Sequence, residues 1–136
     1  IRAGEVLTVE QLLECMLIVS ANEACNILAE QVSGSVDAFV DAMNAKAEAL
    51  GCEDTHFVNP SGIHDPDHYT SAWDLYLITK AAMEYPEFME ICDSASATIP
   101  ATHFRHAISI LASSDCRQFY APCNRSCNYV TPKPIA

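Results

Sequence analysis

Positive charge is scarce in this chain of 136 residues. Seven Lys and Arg residues stand against 18 Asp and Glu residues, and the formal net charge is −11. A polypeptide this acidic repels the phosphate backbone of nucleic acids and the anionic surface of a lipid bilayer. The sequence therefore predicts no binding to nucleic acid or to a bare membrane, although acidity alone selects no substrate.

Long apolar runs are also missing. No stretch approaches the roughly 20 residues with which an apolar helix spans a bilayer, and no basic-then-apolar leader opens the chain. The first residues run directly into a helix signal, so we expect an N-terminus that was processed or cut from something longer. Half of the residues are apolar, which is enough for one domain with a core.

The seven cysteines contain no C-x-x-C pair, so the spacing of a redox or metal motif is absent. Four of them lie alone in predicted helices or at helix ends, and we expect these to be buried as small apolar side chains: Cys15, Cys25, Cys52 and Cys92. The other three cluster in the polar tail, where a disulfide and a metal site both stay open: Cys116, Cys123 and Cys127.

Amphipathic periodicity predicts five helices, over residues 8–19, 20–33, 35–50, 71–85 and 86–92. Thr8 and Gln11 form a capping box, Gly34 and Gly51 are left-handed C-terminal positions, and Pro86 opens the last helix. The apolar residues expected to face inward are Val9, Leu12, Leu13, Met16 and Leu17; Ala24, Ile27, Leu28 and Val32; Val36, Phe39, Val40, Met43, Ala47 and Leu50; and Leu75, Ile78, Ala82 and Met83.

Helical periodicity stops between residues 52 and 69. Residues 55–58 are β-prone, and Asn59 and Gly62 are predicted turn formers. Residues 98–100 indicate a short strand, whereas residues 103–112 are expected to be helical. Asp74 is predicted to be a first-turn carboxylate that stabilises the dipole of the fourth helix.

Six segments resemble, in order, the low-molecular-mass D-alanyl-D-alanine carboxypeptidases, a family of penicillin-binding serine peptidases. They are LTVEQLL at 7–13, SAN at 20–22, GSVDAFV at 34–40, MNAKA at 43–47, THFVNPSGI at 55–63 and HYTSAWDL at 68–75. The Ser-x-Asn element alone is a weak signal, but the last two motifs follow it at the distance that the family shows. The resemblance covers residues 5–100.

The resemblance implies a peptidase that removes the terminal D-alanine of peptidoglycan stem peptides through an acyl-enzyme, and that β-lactams acylate. In the family, the residue matching Ser20 relays protons among the nucleophile, the base and the leaving amine. The residue matching Asn22 hydrogen-bonds the substrate peptide and the base lysine. A hydroxyl accepts one proton while donating another, and a carboxamide donates and accepts without ionising. Ser20 and Asn22 are therefore the predicted catalytic residues.

Two elements of the family are absent from the sequence. The nucleophile and base of the family lie in an upstream Ser-x-x-Lys helix, and a downstream Lys-Thr-Gly strand recognises the substrate carboxylate. Here an apolar residue precedes each lysine by three positions, and no lysine is followed by Thr-Gly. Acid–base assistance, worth roughly 10²- to 10⁴-fold, requires a positioned nucleophile. We therefore expect a fragment of the enzyme, inactive on its own.

Two alternative functions stay open at this point. Ser20 lies three residues before Glu23, which is also the spacing of an N-cap and its partner at the start of the second helix. On that interpretation the chain is a helical interaction module. A small metal-binding protein would instead use the histidines and cysteines of the tail. The tail spacing, however, fits none of the paired-ligand patterns of zinc. His64 and His68 also have ligand chemistry, but we expect a solvated loop there and no metal, because a Pro-containing loop gives no fixed ligand geometry.

Together these observations predict a mainly α protein: the helical lobe, with four or five helices and a short β-like hairpin or turn segment, of the α+β β-lactamase/DD-peptidase-like fold. Residues 1–100 are predicted to form the lobe and residues 101–136 a divergent tail. No cofactor is expected. The expected partners of the intact protein are D-Ala-D-Ala peptides and β-lactams, outside the cytoplasmic membrane at the cell envelope. Uncovered apolar surface is expected to favour self-association.

Overall fold

The computed structural model describes residues 1–101 and 107–111, together with the backbone of residues 131–132. Within these residues the chain forms five α-helices: α1 (Val9–Val19), α2 (Asn22–Ser33), α3 (Val36–Ala49), α4 (Ala72–Ala82) and α5 (Pro86–Asp93). They are accompanied by four short strands: β1 (Tyr69–Thr70), β2 (Ser96–Ile99), β3 (Ile108–Leu111) and β4 (Thr131–Pro132). The prediction of a mainly α fold with about five helices is confirmed.

The helix boundaries follow their capping residues. The Thr8 hydroxyl accepts a hydrogen bond from the Gln11 amide, and the Gln11 side chain accepts one from the Thr8 amide, which completes the predicted capping box. The Ser35 hydroxyl accepts a hydrogen bond from the Ala38 amide and thereby caps α3. Gly34 and Gly51 adopt φ of +79° and +83°, so each ends a helix in the left-handed conformation that glycine favours.

The strands pair in two small sheets. β2 is antiparallel to β3, with Ser96 opposite Leu111 and Ile99 opposite Ile108, and β1 is parallel to β4. The expected strand at 98–100 is confirmed as part of β2. The helix predicted over 103–112 is wrong for residues 108–111, because their β-branched isoleucines pair with β2. Residues 55–58 contribute one isolated bridge, between His56 and Tyr69.

One hydrophobic core lies where α1 packs against α2, α5, β2 and β3. Its buried members are Leu12, Cys15, Ile18, Ala24, Leu28, Ile91, Ile99 and Ile110. Burying one leucine or isoleucine side chain contributes about 1.5–3 kcal/mol. This cluster therefore fixes α1 in place, and with α1 the turn that joins it to α2.

The buried helix faces differ from the predicted stripes. Neighbouring strands and α5 cover the side of α1 that carries Leu12, Cys15 and Ile18, which leaves Val9 56% exposed. In α2 the predicted Ala24, Cys25 and Leu28 are buried together with Ala29, but Ile27 and Val32 are not. Five residues predicted to face inward are exposed: Val9, Ile27, Val32, Leu75 and Met83.

The cysteine prediction holds for part of the set. Cys15 and Cys25 are buried and Cys52 is half-buried, but Cys92 is exposed because α5 turns the adjacent Ile91 toward the core. The three tail cysteines lie outside the described residues. None of the helices in the described part of the chain combines the length and apolarity needed to cross a membrane.

Candidate functional site

α1 ends in a left-handed turn at Ser20. This residue has φ 56° and ψ 43°, and it is the only non-glycine residue with positive φ in the described part of the chain. Its amide and the amide of Ala21 both donate to the carbonyl of Cys15. The left-handed conformation costs an L-residue roughly 1–2 kcal/mol, and glycine usually occupies it. Ser20 is thus held against a local penalty, as residues at functional sites often are.

Ala21, and not Ser20, is the N-cap of α2. Ala21 has the extended backbone that an N-cap requires, and its side chain makes no capping hydrogen bond. The hypothesis that Ser20 and Glu23 form a capping pair is therefore wrong, because a left-handed residue cannot serve as N-cap. The Ser20 side chain is exposed, and Asn22, the first residue of α2, is half-buried. The predicted position of both residues at a helix junction is correct.

Cys25 follows this junction in the first turns of α2. Its thiol donates to the carbonyl of Ala21 at 3.6 Å. Burial raises the pKa of Cys25, assisted by the nearby Glu23 carboxylate and opposed by a backbone hydrogen bond. The thiol therefore stays protonated at neutral pH and supplies no thiolate nucleophile. Its contact with Ala21 instead stabilises the start of α2, next to Ser20 and Asn22.

The motif at 55–63 ends in a turn built on Asn59. The side-chain oxygen of Asn59 accepts from the amides of Ser61, Gly62 and Ile63 at 3.2, 2.7 and 3.1 Å. Its side-chain nitrogen donates to the carbonyl of Ile63 at 2.9 Å, and Gly62 has φ +75°. The prediction that Asn59 and Gly62 form a turn is confirmed. Their role is therefore to fix the backbone of this turn.

Asn44 connects α3 to the same motif, a contact that sequence reasoning missed. Its side-chain nitrogen donates to the carbonyl of Phe57, and its side-chain oxygen accepts from the amide of Phe57, both at 2.8 Å. A carboxamide can satisfy both backbone groups of one residue because it is a donor and an acceptor. Asn44 lies in a segment that resembles the family, but nothing in the sequence pairs it with Phe57.

Asp74 anchors the start of α4 to the loop before the motif. It is 3% exposed, and its Oδ2 accepts from the amide of Asp54 at 2.8 Å and the hydroxyl of Thr55 at 2.7 Å. The hydroxyl of Ser71 accepts from the Asp74 amide at 3.1 Å. Burial by itself would raise the pKa of Asp74, but hydrogen bonds chiefly from Thr55, Asp54 and Ser71 bring the pKa below its ordinary value. Asp74 is therefore ionised, and its carboxylate links α4 to Asp54 and Thr55. It also lies in the first turn of α4, as predicted.

His68 is buried, at 2% exposed, which corrects the expectation of a solvated loop at this residue. Its Nδ1 accepts from the amide of Val58 at 3.1 Å, and its ring lies 5.4 Å, centroid to centroid, from that of Phe57. Burial lowers the pKa of His68, and the Asp65 carboxylate opposes this effect. With a hydrogen bond accepted at Nδ1, the neutral ring carries its proton on Nε2.

Metal binding receives no support from the described geometry. No group of three or more His, Cys, Asp or Glu side chains within residues 1–101 and 107–111 is placed to hold an ion. His64 is exposed and His68 is engaged with Val58. His103, His106 and the tail cysteines lie outside the described residues, so the hypothesis of a metal-binding tail stays a prediction.

An apolar groove of about 320 Å³ lies between α3, α4 and the 55–63 motif. Its lining residues are Phe39, Ala42, Met43, Lys46, Ala47, Leu50, Phe57 and Ile78. Neither Ser20 nor Asn22 lines this groove.

Comparison with known proteins adds independent information. The model of the D-alanyl-D-alanine carboxypeptidase family matches residues 1–113. The chain is 42% identical over 82 residues to the D-alanyl-D-alanine carboxypeptidase DacF of Bacillus subtilis, covering 60% of this chain and 21% of that protein. It is 41% identical over 102 residues to DacB2 of Mycobacterium tuberculosis, covering 74% of this chain and 35% of that protein.

A solved structure agrees with these sequence matches. The crystal structure of a D-alanyl-D-alanine carboxypeptidase from Mycobacterium tuberculosis superposes with a TM-score of 0.72 and 35% identity, over 83% of this chain and 43% of the other. The chain thus spans between a fifth and about a third of the length of the two curated relatives. The predicted β-lactamase/DD-peptidase-like fold is confirmed.

Proposed function

Since the chain belongs to the D-alanyl-D-alanine carboxypeptidase family, we propose that Ser20 and Asn22 are catalytic residues of a serine peptidase. This enzyme removes the terminal D-alanine from peptidoglycan stem peptides. The activity is proposed for a polypeptide that also supplies a Ser-x-x-Lys helix and a Lys-Thr-Gly strand. Residues 1–100 would form its helical lobe and residues 101–136 a divergent tail.

The observation that carries this proposal is the conformation of Ser20. A left-handed, exposed serine that ends α1 through its backbone amide and does not cap α2 is more costly than glycine at the same place. A purely structural turn would gain stability from glycine, so the hydroxyl needs another reason to be there. Proton relay in an acyl-transfer site is such a reason, because it requires a hydroxyl that reaches outward from rigid backbone.

The proposed reaction has two steps, acylation and deacylation. In acylation, the serine nucleophile attacks the carbonyl of the penultimate D-alanine, and the bond to the terminal D-alanine breaks. The proton lost by the nucleophile passes through the base and the Ser20 hydroxyl to the departing amine. In deacylation, water attacks the ester carbonyl, and the bond between the acyl carbon and the serine oxygen breaks. The shortened peptide leaves as its carboxylic acid, and a proton from the water returns to the serine oxygen. Asn22 holds the substrate amide through its carboxamide.

The isolated chain is expected to be inactive. A relay hydroxyl transfers protons only in a reaction that a nucleophile has started. The sequence contains no Ser-x-x-Lys motif, so this chain supplies neither the nucleophile nor the base of the family. β-Lactams, which use the same nucleophile, should likewise fail to acylate this chain. The cell envelope is the proposed location of the active enzyme, since its substrate is peptidoglycan. Self-association through the groove between α3 and α4 remains part of the proposal.

A chimeric enzyme tests the proposal. Residues 1–100 replace the matching segment of the Mycobacterium tuberculosis enzyme DacB2, and release of D-alanine from a D-Ala-D-Ala peptide is measured. We expect Ser20→Ala and Asn22→Ala each to lower kcat/KM by about 10²-fold or more, in the range of acid–base assistance. Ser35→Ala removes the exposed N-cap hydroxyl of α3 and is the matched control, expected to keep activity.

Two results would contradict the proposal. One is an active chimera in which Ser20→Ala releases D-alanine as fast as the Ser35→Ala control. The other is hydrolysis of nitrocefin or of a D-Ala-D-Ala peptide by the purified 136-residue chain above the rate of its Ser20→Ala variant. A urea unfolding curve for each variant separates loss of chemistry from loss of folding.

A further inference from the structure

A buried histidine connects the 55–63 motif to the loop that follows it. His68 is 2% exposed, and its Nδ1 accepts a hydrogen bond from the Val58 amide at 3.1 Å. The backbones beside this contact are paired as well, since the amides of His56 and Tyr69 each donate to the carbonyl of the other, at 2.8 and 3.0 Å. In the described part of the chain, Nδ1 is the only side-chain atom of His68 with a hydrogen-bond partner. One polar contact therefore links the ring to the motif.

This contact exists only while the His68 ring is neutral. A neutral imidazole has one nitrogen that donates and one that accepts, whereas a protonated imidazole donates from both. After protonation, the new N–H at Nδ1 would point at the N–H of Val58, and two donors that face each other repel. A proton therefore cannot be added at Nδ1 without breaking the bond to Val58.

The charged groups around His68 act in opposite directions. Burial is the largest effect and lowers the pKa of His68; the half-buried Asp65 in the same loop favours the protonated ring, and His56 in the facing segment disfavours it. Among the packed helices, α3 presents Lys46 to the apolar groove, and α4 presents the Asp74 carboxylate to the start of the motif. The closed loop thus opposes protonation chiefly by keeping water from the ring.

The same ring also contacts Phe57. The two ring centroids are 5.4 Å apart, and the planes are inclined by 59°. The Phe57 backbone is bonded to Asn44 of α3, and its side chain lines the apolar groove between α3 and α4. Movement of the His68 ring would therefore remove a contact from Phe57, and with it a support of one wall of the groove.

We propose that His68 is a pH-sensitive latch on residues 56–58. The neutral ring holds these residues closed. Uptake of one solvent proton at Nδ1 breaks the bond to Val58, exposes the ring to water and releases its contact with Phe57. The turn built on Asn59 has its own hydrogen bonds and lies outside the latch. The latch belongs to the loop itself and is independent of the proposed peptidase activity.

The size of the effect follows from the linkage between proton binding and opening. A histidine ring in water has a pKa of about 6.5, and the closed ring of His68 has a lower pKa. The open state therefore binds the proton more tightly, and opening is favoured as the pH falls below about 6.5. From pH 7.5 to pH 5.5 the equilibrium constant for opening should rise about three- to tenfold, and tenfold is the limit for a closed ring that stays neutral.

Amide hydrogen exchange of the 136-residue chain measures this opening at single residues. The protection factor is the ratio of the intrinsic exchange rate at each pH to the observed rate. We expect the protection factors of the Phe57 and Val58 amides to fall about three- to tenfold from pH 7.5 to pH 5.5. The Gly62 amide, bonded to Asn59 in the same motif, should change less than twofold.

Two variants assign the effect to one ring. His68→Asn keeps an acceptor near the position of Nδ1 but does not titrate, so the fall in Val58 protection should shrink to less than twofold. His64→Asn removes an exposed histidine from the same loop and should keep the full fall. If His68→Asn does not fold, nuclear magnetic resonance of the parent chain decides. The imidazole should carry its proton on Nε2 at pH 7.5, and the Val58 amide signal should titrate with the same midpoint as the ring.

Four results would overturn the inference. They are a Val58 protection factor that is equal at the two pH values, equal falls for Val58 and Gly62, equal pH dependence in His68→Asn and His64→Asn, and a neutral His68 ring with its proton on Nδ1. The second of these would show that the whole motif unfolds at low pH, without a latch at residues 56–58.

Discussion

Replacing Ser20 with glycine should make the chain more stable. Ser20 has φ 56° and ψ 43°, a conformation that costs an L-residue roughly 1–2 kcal/mol. Glycine avoids that cost, but its greater freedom in the unfolded chain takes back about 0.4–1 kcal/mol. The difference predicts that Ser20→Gly raises the free energy of unfolding by about 0.5–1 kcal/mol. The same variant in the chimeric enzyme should lose activity, since the hydroxyl is gone.

Two further variants isolate the cause. Ser20→Ala keeps a Cβ, so it keeps the backbone penalty and should stay within about 0.5 kcal/mol of the parent. Gly34→Ser is the reciprocal change at the end of α2, where φ is +79° and a new Cβ would meet no atom within 4 Å. Its cost is therefore conformational, without a steric clash, and should amount to about 0.5–1 kcal/mol of lost stability.

Urea denaturation followed by circular dichroism measures these differences. With a slope m of about 1–3 kcal/mol per molar urea, the midpoint of Ser20→Gly should rise by about 0.2–1 M while m stays constant. If Ser20→Gly is no more stable than the parent while Gly34→Ser loses stability, the serine hydroxyl contributes to folding. The reasoning that links its strained backbone to function would then be refuted.

Three other predictions concern the contacts that hold the 55–63 motif. Asn44→Ala should cost about 2 kcal/mol, because it leaves the amide and carbonyl of Phe57 without their partner; Asn44→Asp should not restore stability, since a carboxylate faces the carbonyl, and urea midpoints decide. The lowered pKa of His68 means that the unfolded state binds more protons, so stability should be full above about pH 6.5 and fall as the pH drops below it. His68→Asn, which keeps an acceptor near Nδ1 but does not titrate, should flatten that part of the pH–stability curve, and an unchanged curve would contradict this. Asp74→Ala should cost about 3 kcal/mol and Asp74→Asn about 1 kcal/mol, since only the former removes the acceptor of two hydrogen bonds; equal losses would contradict the crosslink.

Local signals in the sequence predicted the elements of this fold well. The capping box at Thr8, the helix starts at Ser35 and Ser71 and the left-handed Gly51 all occupy their expected places. Each depends on contacts within one helical turn, which short-range sequence patterns describe. The helix expected over 103–112 failed where residues 108–111 pair with β2, a contact that no local pattern encodes.

The buried helix faces were less predictable. An amphipathic stripe contains more apolar residues than one contact can cover, and the packing of neighbouring elements determines which of them are buried. Val9 and Leu75 belong to apolar stripes but remain exposed, while Ile18 and Asp74 are buried. For Asp74 the reason is specific: Asp54 and Thr55 satisfy its carboxylate. A sequence pattern cannot anticipate a partner 20 residues away.

The helix boundaries, the family resemblance and the prediction of Ser20 and Asn22 as catalytic residues could be read from the sequence, since they depend on residue types at short spacings. In contrast, the strained conformation of Ser20 at the end of α1 and the burial of His68 and Asp74 follow from tertiary packing. These facts depend on how α1 and α4 pack against elements distant in the chain. Such packing is settled by the total apolar surface that all elements bury at once.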